Sequence, residues 1–176
     1  MSNAATLMTE FLDIIDADDH VVGNAPKEQI YQRKLSHRIV HILVFNAQDK
    51  LLLQRRCASK SYFPLAWSTS VGGHVQAGET YEDAAHRELQ EELGIDASLE
   101  LLWSDQYLGD ENILKRLVTF RAWHEGPFKL DEEEVESARF FTLQEVADLL
   151  CSDEKIHPEL RFLLACHTLK LQRGTV

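Results

Sequence analysis

Cysteine is scarce in this sequence. Only three occur in 176 residues, and Cys57, Cys151 and Cys166 lie far apart. An odd number at such spacing provides neither a disulfide framework nor the paired ligands of a structural metal site, so a reducing compartment is expected. We expect all three thiols to be buried as small hydrophobic side chains.

Long apolar runs are lacking as well. None approaches the roughly 20 residues that cross a bilayer. The amino terminus also lacks the basic and apolar regions of a signal peptide. The sequence therefore predicts a cytoplasmic protein without a membrane partner.

Positive charge is in deficit. The chain has 18 Lys and Arg against 29 Asp and Glu, which gives a net charge of −11. A nucleic-acid partner is disfavoured because its phosphate backbone would be repelled. An anionic small molecule is still compatible with this charge if a bound cation or a local basic patch reverses the field at the site.

The chain does contain alternating short strands and helices, which predict one α+β domain over residues 1–176. Residues 1–9 are expected to be disordered or vector-derived. The predicted strands are 11–16, 21–23, 38–46, 51–55, 67–71, 99–107, 117–123 and 138–141. The predicted helices are 26–33, 80–93, 142–150 and 158–171. Residues 38–55 are expected to form a hairpin.

The predicted helix 80–93 has an unusual acidic face. Three carboxylates share this face because they are three or four residues apart: Glu88, Glu91 and Glu92. Like charges at this spacing destabilise a helix by about 0.2–0.5 kcal/mol per pair, and a divalent cation with oxygen ligands would offset that cost. The alternative is a solvated acidic face, which is the commoner outcome for a Glu-rich helix.

The segment before this helix is rich in glycine. Gly72, Gly73 and Gly78 permit backbone conformations closed to other residues and a close approach to a ligand. Arg87 is placed to pair with Glu79 or Glu91 and to orient the carboxylates. A plain surface ion pair would leave the same pattern in the sequence.

Together these residues resemble the Nudix box. Gly73, Glu79 and the segment 87–95 occupy its specified positions over 23 residues, a pattern with fixed gaps that is far more specific than a lone glycine motif. The resemblance implies an α/β/α sandwich with a mixed β-sheet. It also implies hydrolysis of a small-molecule diphosphate with Mg²⁺ or Mn²⁺ as the cofactor.

The resemblance further assigns roles to single residues. Glu88, Glu91 and Glu92 would bind the metal, and Arg87 would support them. One of these three glutamates, such as Glu91, or Glu134 from the acidic loop 131–134 would serve as the base for the attacking water. For Glu134 the alternative is a solvated acidic loop. Many members of the family pair as dimers, so a homodimer is left open.

A second resemblance concerns the scaffold. His37-Arg38, the segment 54–60, Trp67 and Gly73-His74 resemble isopentenyl-diphosphate isomerase and the hydrolases that share its framework. In the isomerase a catalytic cysteine precedes the Gly-His pair. This chain has Gly72 there, so hydrolysis is expected and isomerisation is the disfavoured alternative. A binding module without catalysis is disfavoured too, because the box is intact.

This scaffold also suggests further ligand residues. Arg56, Lys60 and Gly73 would bind the substrate, with Arg56 and Lys60 favoured over Arg55 as the diphosphate contacts. His37 and His74 match two metal-binding histidines of the isomerase and could hold a second metal. The alternative is that both are hydrogen-bonded structural residues.

Overall fold

The computed structural model describes residues 9–171, except for the side chains of residues 168–171. The expectation for residues 1–8 therefore lies outside the described residues. The described elements, in chain order, are β1 (Phe11–Ile15), β2 (Val21–Pro26), α1 (Lys27–Gln32), β3 (His37–Phe45), β4 (Leu51–Arg56), β5 (Trp67–Ser68), β6 (Val71–His74), α2 (Tyr81–Leu93), β7 (Glu100–Leu108), β8 (Leu114–Trp123), β9 (Val135–Phe141), α3 (Leu143–Leu150) and α4 (Pro158–Leu171).

A mixed sheet forms the centre of the molecule. Its strands follow the order β5-β4-β3-β8-β7, with β6 paired to β3 and β9 paired to β4. Strands β3 and β8 are parallel over their whole shared length, and the other pairs are antiparallel. β1 and β2 form a separate antiparallel pair.

Helices cover both faces of the sheet. The buried side of α2, Ala85, Leu89 and Leu93, packs on one face against β3 residues such as Val40. The opposite face is covered by α3 and α4, with Leu160 among the buried contacts. This arrangement confirms the predicted α+β class and the α/β/α sandwich.

Helix α2 begins and ends where the sequence predicts. The Thr80 side chain accepts a hydrogen bond from the Asp83 backbone N–H, and acidic residues occupy the first turn, where the helix dipole favours them. Gly94 ends the helix with φ of 64°, a left-handed conformation that glycine adopts without strain. The acidic face is therefore held on a helix with defined ends.

Two strand predictions need correction. The expected hairpin closes at a single pair, Phe45 with Leu51, after which β3 and β4 separate. The expected strand 67–71 is divided, because β5 pairs with β4 whereas β6 pairs with β3. The chain thus crosses the gap between β4 and β3, where the Ser70 hydroxyl accepts from Val44 N at 2.8 Å and donates to Leu52 O at 2.5 Å.

The prediction of buried cysteines is wrong. Cys57 is partly exposed, and Cys151 and Cys166 are exposed. Cys151 caps the end of α3 and Cys166 lies on the outward side of α4, so neither reaches the core. None of the helices within residues 9–171 combines the length and the apolar composition that a membrane span needs.

Candidate active site

A pocket of about 850 Å³ opens beside the gap between β3 and β4. Its walls come from α1, β6, α2, the segment 56–62, the acidic loop and the start of α4. The predicted site residues that line it are Arg56, Lys60, Gly73, His74, Arg87, Glu88, Glu91, Glu92 and Glu134. The fold therefore brings predicted residues from four separate parts of the sequence into one cavity.

The three carboxylates of α2 differ in their surroundings. Glu88 and Glu92 are buried, whereas the Glu91 side chain is 55% exposed. Gly73 lies directly against Glu88, and a Cβ built at Gly73 would overlap the Glu88 carboxylate. Glu92 accepts a hydrogen bond from Gln54 Nε2 of β4 at 2.8 Å. The close approach expected of Gly73 is thus an approach to a carboxylate.

Arg87 connects the glycine-rich segment to α2. Its guanidinium donates to both carboxylate oxygens of Glu79, at 2.9 and 3.0 Å, and to the His74 carbonyl at 2.9 Å. It also donates to Glu88 at 2.6 Å and to Glu91 at 3.1 Å. The sequence predicted a pairing with Glu79 or Glu91, and the structure contains both. Arginine can make all of these contacts at once because its planar guanidinium group has five N–H donors.

Burial changes the acidity of two of these carboxylates. It raises the pKa of Glu88 to about 7, although Arg87 acts in the opposite direction. Burial, reinforced by the neighbouring Glu88, raises the pKa of Glu92 to about 8. Both pKa values are raised because a negative charge is unfavourable in a poorly solvated position next to a second carboxylate.

These groups fit a divalent cation by their chemistry. Carboxylate oxygens are the ligands that Mg²⁺ and Mn²⁺ prefer, and a cation would relieve the repulsion between Glu88 and Glu92. Within residues 9–167, no three His, Cys, Asp or Glu side chains already surround a common point. Arg87 holds Glu88 and Glu91, while Gln54 holds Glu92. Each of these contacts uses one oxygen of its carboxylate, so Glu88 Oε2, Glu91 Oε1 and Glu92 Oε1 are the oxygens that a cation would meet first.

The basic residues lie in two different places. Arg56 and Lys60 line the pocket, with Arg56 Nη2 donating to the Tyr62 carbonyl at 3.1 Å. Arg55 lies in a different surface depression and pairs with Glu136 at 3.7 Å. Lys60 forms an ion pair with Glu134, so the predicted phosphate contact and the predicted base hold each other.

His37 and His74 lie together, and each has one ring nitrogen in a hydrogen bond. Their ring centroids are 5.6 Å apart, and His74 Nε2 lies 2.7 Å from the Tyr31 hydroxyl. Burial lowers the pKa of His37 to about 4, and burial together with Lys27 lowers that of His74 well below its ordinary value. Both rings are therefore neutral at pH 7, and His37 Nε2 has no hydrogen-bond partner among the described residues.

Gly72 faces the opposite way from Gly73. A Cβ at Gly72 would lie 2.9 Å from His41 Nδ1, closer than real contacts of this kind. His41 cannot easily withdraw, because its ring nitrogens lie 2.9 Å from Thr69 Oγ1 and 3.0 Å from Glu159 Oε2. This position therefore has no room for a cysteine side chain unless His41 moves.

The pocket also contains buried polar groups that sequence reasoning missed. Lys115 of β8 donates to Glu159 of α4 at 3.1 Å, and both side chains are almost fully buried. Burial alone would lower the pKa of Lys115, but Glu159 outweighs it and the pKa lies above its ordinary value. Burial alone would raise the pKa of Glu159, but His41 and Lys115 hold it well below its ordinary value. The sequence gives no clear signal for either residue, because Lys115 is followed by Arg116 and Glu159 lies between Lys155 and Arg161.

Comparison with known proteins places these features in context. A family model described as NUDIX domain matches residues 35–161. A Nudix hydrolase of Pseudomonas aeruginosa is 39% identical over 142 residues, covering 80% of this chain and 83% of that protein. A Nudix hydrolase of Nostoc sp. is 47% identical over 91 residues, and the match spans 54% of that protein's length. The crystal structure of DR0079 from Deinococcus radiodurans is similar with a TM-score of 0.79 and 28% identity, covering 89% of this chain and 98% of that one.

Proposed function

We propose that this chain, which belongs to the Nudix hydrolase family, cleaves the diphosphate linkage of a nucleoside di- or triphosphate or of another diphosphate ester. Its residues 1–176 would act as one domain. The observation that carries the proposal is the buried pair Glu88 and Glu92 beside Arg87, in the same pocket as Arg56 and Lys60. Acidic and basic groups thus face one cavity that can hold a cation and a diphosphate together.

The residues divide the work by charge. Glu88, Glu91 and Glu92 would hold Mg²⁺ or Mn²⁺, which when bound neutralises charge on the phosphoryl oxygens and acidifies water. Arg87 keeps the carboxylates on the pocket side of α2 by anchoring them to Glu79 and the His74 carbonyl.

Arg56 and Lys60 would bind the diphosphate, and Glu134 would take the proton of the attacking water. The Lys60–Glu134 ion pair supports this arrangement, because a diphosphate that attracts Lys60 would free the carboxylate. Positioning and electrostatic stabilisation supply most of the catalysis that phosphoryl transfer requires.

Isomerisation of isopentenyl diphosphate is disfavoured by Gly72. The isomerase needs a positioned acid and base for carbon, and a thiol at this position would meet His41. A second metal at His37 and His74 is disfavoured by Tyr31, Lys27 and Lys115 around the pair. If the protein converted isopentenyl diphosphate into its dimethylallyl isomer, isomerisation would be favoured over hydrolysis.

A panel of diphosphates tests the proposed function. The protein is incubated with nucleoside di- and triphosphates, sugar diphosphates and prenyl diphosphates in Mg²⁺ or Mn²⁺, and the phosphorus products are identified. We expect cation-dependent cleavage that Glu91→Gln abolishes and that Glu82→Gln, an exposed change on the first turn of α2, leaves unchanged. Absence of cation-stimulated cleavage across the panel would refute the proposal.

Two variants separate binding from chemistry. Glu134→Gln should lower kcat by about 10²–10⁴-fold if this residue is the base. Lys60→Glu should raise KM more than it lowers kcat, because Lys60 contacts the diphosphate in both ground and transition states. An unchanged kcat in the first variant, or an unchanged KM in the second, removes that residue from its role.

A further inference from the structure

We infer that the hairpin formed by β1 and β2, here called the amino-terminal hairpin, holds the residues from which Arg87 orients the proposed metal ligands, with Asp13 as a positioning residue. The part that it holds is the turn 76–79, here called the Glu79 turn. The inference rests on the proposed function and adds a further part of the chain to that site. The amino-terminal hairpin lies ahead of residues 35–161, which the family model matches, so the match gives it no role.

The amino-terminal hairpin is itself fixed to the rest of the molecule. Leu12 of β1 and Ile30 of α1 are fully buried, and with Ala25 of β2 they form a small core. The Ile15 backbone N–H also donates to the Ser36 carbonyl at 3.1 Å. Strand β1 therefore has a defined position from which it can hold another segment.

Strand β1 runs beside the Glu79 turn. The Ala77 backbone N–H donates to the Phe11 carbonyl at 2.8 Å, and Leu12 forms an isolated antiparallel bridge with Gln76. The turn is closed by a hydrogen bond from Glu79 N to the Gln76 carbonyl at 3.0 Å. The backbone of β1 thus pairs with the turn as a neighbouring strand would.

Asp13 adds a side-chain hydrogen bond to this pairing. Asp13 is only 6% exposed, and its Oδ2 accepts from the Gly78 backbone N–H at 3.0 Å. A carboxylate accepts stronger hydrogen bonds than a neutral carbonyl does. Gly78 has φ of 79°, a conformation that residues other than glycine rarely adopt. The hydrogen bond therefore fixes the backbone from which the next side chain, that of Glu79, extends.

The Glu79 turn is connected to the proposed metal ligands through Arg87. Both carboxylate oxygens of Glu79 accept from Arg87, and Oε2 also accepts from Gln76 N at 2.9 Å. Arg87 donates in turn to Glu88 at 2.6 Å and to Glu91 at 3.1 Å. A shift of the turn would therefore move Arg87, and with it two carboxylates of α2.

A second set of contacts holds the tip of the amino-terminal hairpin against α2. Asp19 at this tip accepts from the hydroxyl of Tyr81, the first residue of α2, at 2.9 and 3.0 Å. Its Oδ1 also accepts from Arg38 Nε of β3 at 2.7 Å, and the Arg38 guanidinium lies over the Tyr81 ring. The hairpin therefore contacts both ends of the segment 76–81, which carries the Glu79 turn into the helix.

The Mn²⁺ affinity of Asp13 variants tests this inference. Mn²⁺ is titrated into the substrate-free protein, and the free ion is measured by electron paramagnetic resonance. Loss of a group that orients metal ligands weakens binding by about 10–100-fold, and we expect Asp13→Ala to lie near the lower value because Asp13 acts through Gly78. Asp13→Asn keeps an oxygen that can accept from Gly78 N, so its Kd should stay within about threefold of the wild type. Asp18→Ala, which removes the same charge from an exposed position of the hairpin, should bind Mn²⁺ as the wild type does.

Amide hydrogen exchange separates positioning from a general loss of stability. In the cation-free protein, Asp13→Ala should speed exchange of the Gly78 and Glu79 amides by about tenfold or more, because the turn loses its support. The amide of Leu89, a fully buried residue in the middle of α2, should exchange as in the wild type. Equal acceleration at all three amides would overturn the inference, because general destabilisation would then explain a weaker Kd.

A second variant decides the matter if Asp13→Ala does not fold. Tyr81→Phe removes the hydroxyl that donates to Asp19 and keeps the ring beneath Arg38. We expect it to weaken Mn²⁺ binding by about threefold or more, since one end of the segment 76–81 is released. Wild-type affinity in Tyr81→Phe would then overturn the inference.

The proposed function and this inference fail in different ways. If the wild type binds no Mn²⁺, the metal site of the proposed function falls and the inference falls with it. If the wild type and Asp13→Ala bind Mn²⁺ equally, the proposed function stands and only the role of the amino-terminal hairpin falls. If Asp13→Asn binds as weakly as Asp13→Ala, the hydrogen bond to Gly78 is not what positions the turn, and the role of Asp13 is overturned.

Discussion

Gly73 lacks a side chain at a point where the Glu88 carboxylate fills the space beside its Cα. Gly73→Ala should therefore displace Glu88, because an added methyl in a filled site costs about 1–3 kcal/mol. We expect a fall of that size in the free energy of unfolding, together with a large loss of hydrolysis. Urea unfolding and initial rates measure the two effects.

Gly23→Ala is the matched control. A Cβ at Gly23 would be 3.8 Å from Ile14 Cδ1, an ordinary contact, so rates should be unchanged. Wild-type hydrolysis in Gly73→Ala would show that Glu88 does not need its present position.

His157 provides a pH prediction. Burial lowers its pKa to about 4, whereas the unfolded chain takes up the proton at about 6.5. Between these values the unfolded state binds more protons, so this residue's contribution makes the protein less stable as the pH falls from 6.5 to 4. His157→Gln should reduce the loss of unfolding free energy between pH 7 and pH 4.5 by about 2 kcal/mol. Identical pH dependence in the two proteins would contradict it.

Single residues differ in how well the sequence predicts them. Glu88, Glu91 and Glu92 stand in a motif with fixed gaps, and all three line the pocket. Lys115 and Glu159 belong to no such motif, and they meet because β8 lies beside β3 and α4 begins over the same end of the sheet. Long-range pairing of this kind leaves no periodic signal in one sequence.

At the scale of elements, α2 carries the buried charge that a cation would neutralise. Glu92 has a pKa raised to about 8 by burial and by Glu88, so its contribution lowers stability as the pH rises from 4.5 to 8. Glu92→Gln should therefore raise the unfolding free energy of the cation-free protein at pH 8. Chemical denaturation in a chelator measures this change.

Magnesium should narrow this difference between the wild type and Glu92→Gln. A ligand at ten times its Kd stabilises a protein by about 1.4 kcal/mol, and we expect this gain in the wild type and in Glu82→Gln but not in Glu92→Gln. An equal Mg²⁺ effect in all three proteins would exclude Glu92 as a ligand. The same titration with Mn²⁺ compares the two candidate cations.

The sequence predicts the bounds of an element closely where capping residues mark its ends. It predicts strand pairing poorly where no such residues occur. Thr80 and Gly94 are local signals, and α2 begins and ends beside them. The segment 67–71 is short and β-rich, yet its pairing partners change from β4 to β3 within a few residues. Strand propensity is a property of the segment, but the partner is decided by the rest of the sheet.

At the scale of the whole molecule, the gap between β3 and β4 is bridged by Ser70. Ser70→Ala would remove the hydroxyl that bonds both Val44 N and Leu52 O. Because both atoms are buried in the sheet, water would not replace the lost hydrogen bonds. We expect a loss of about 1–3 kcal/mol in the free energy of unfolding. Thermal and urea denaturation measure it. Ser104→Ala on the exposed side of β7 should be neutral, and a neutral Ser70→Ala would show that the bridge is dispensable.

The overall architecture follows from the order of strands and helices together with the box, and the mixed sheet confirms it. What the order of elements does not reveal is the separation of β3 from β4 after one pair. That separation depends on the crossing segment 67–74, because its β6 part occupies the edge of β3 that a hairpin partner would otherwise use. Since β6 and β4 cannot both pair with this edge of β3, the two strands diverge and the pocket opens beside the gap between them.

The adjacent glycines of β6 have a consequence for how such a protein can diversify. Gly73 turns its bare side to Glu88 and Gly72 turns its own to His41, although both glycines line the same pocket. A side chain added at either position would therefore press on the neighbour of that side alone. Substitutions around His41 can thus change one part of the pocket while the carboxylates of α2 keep their positions.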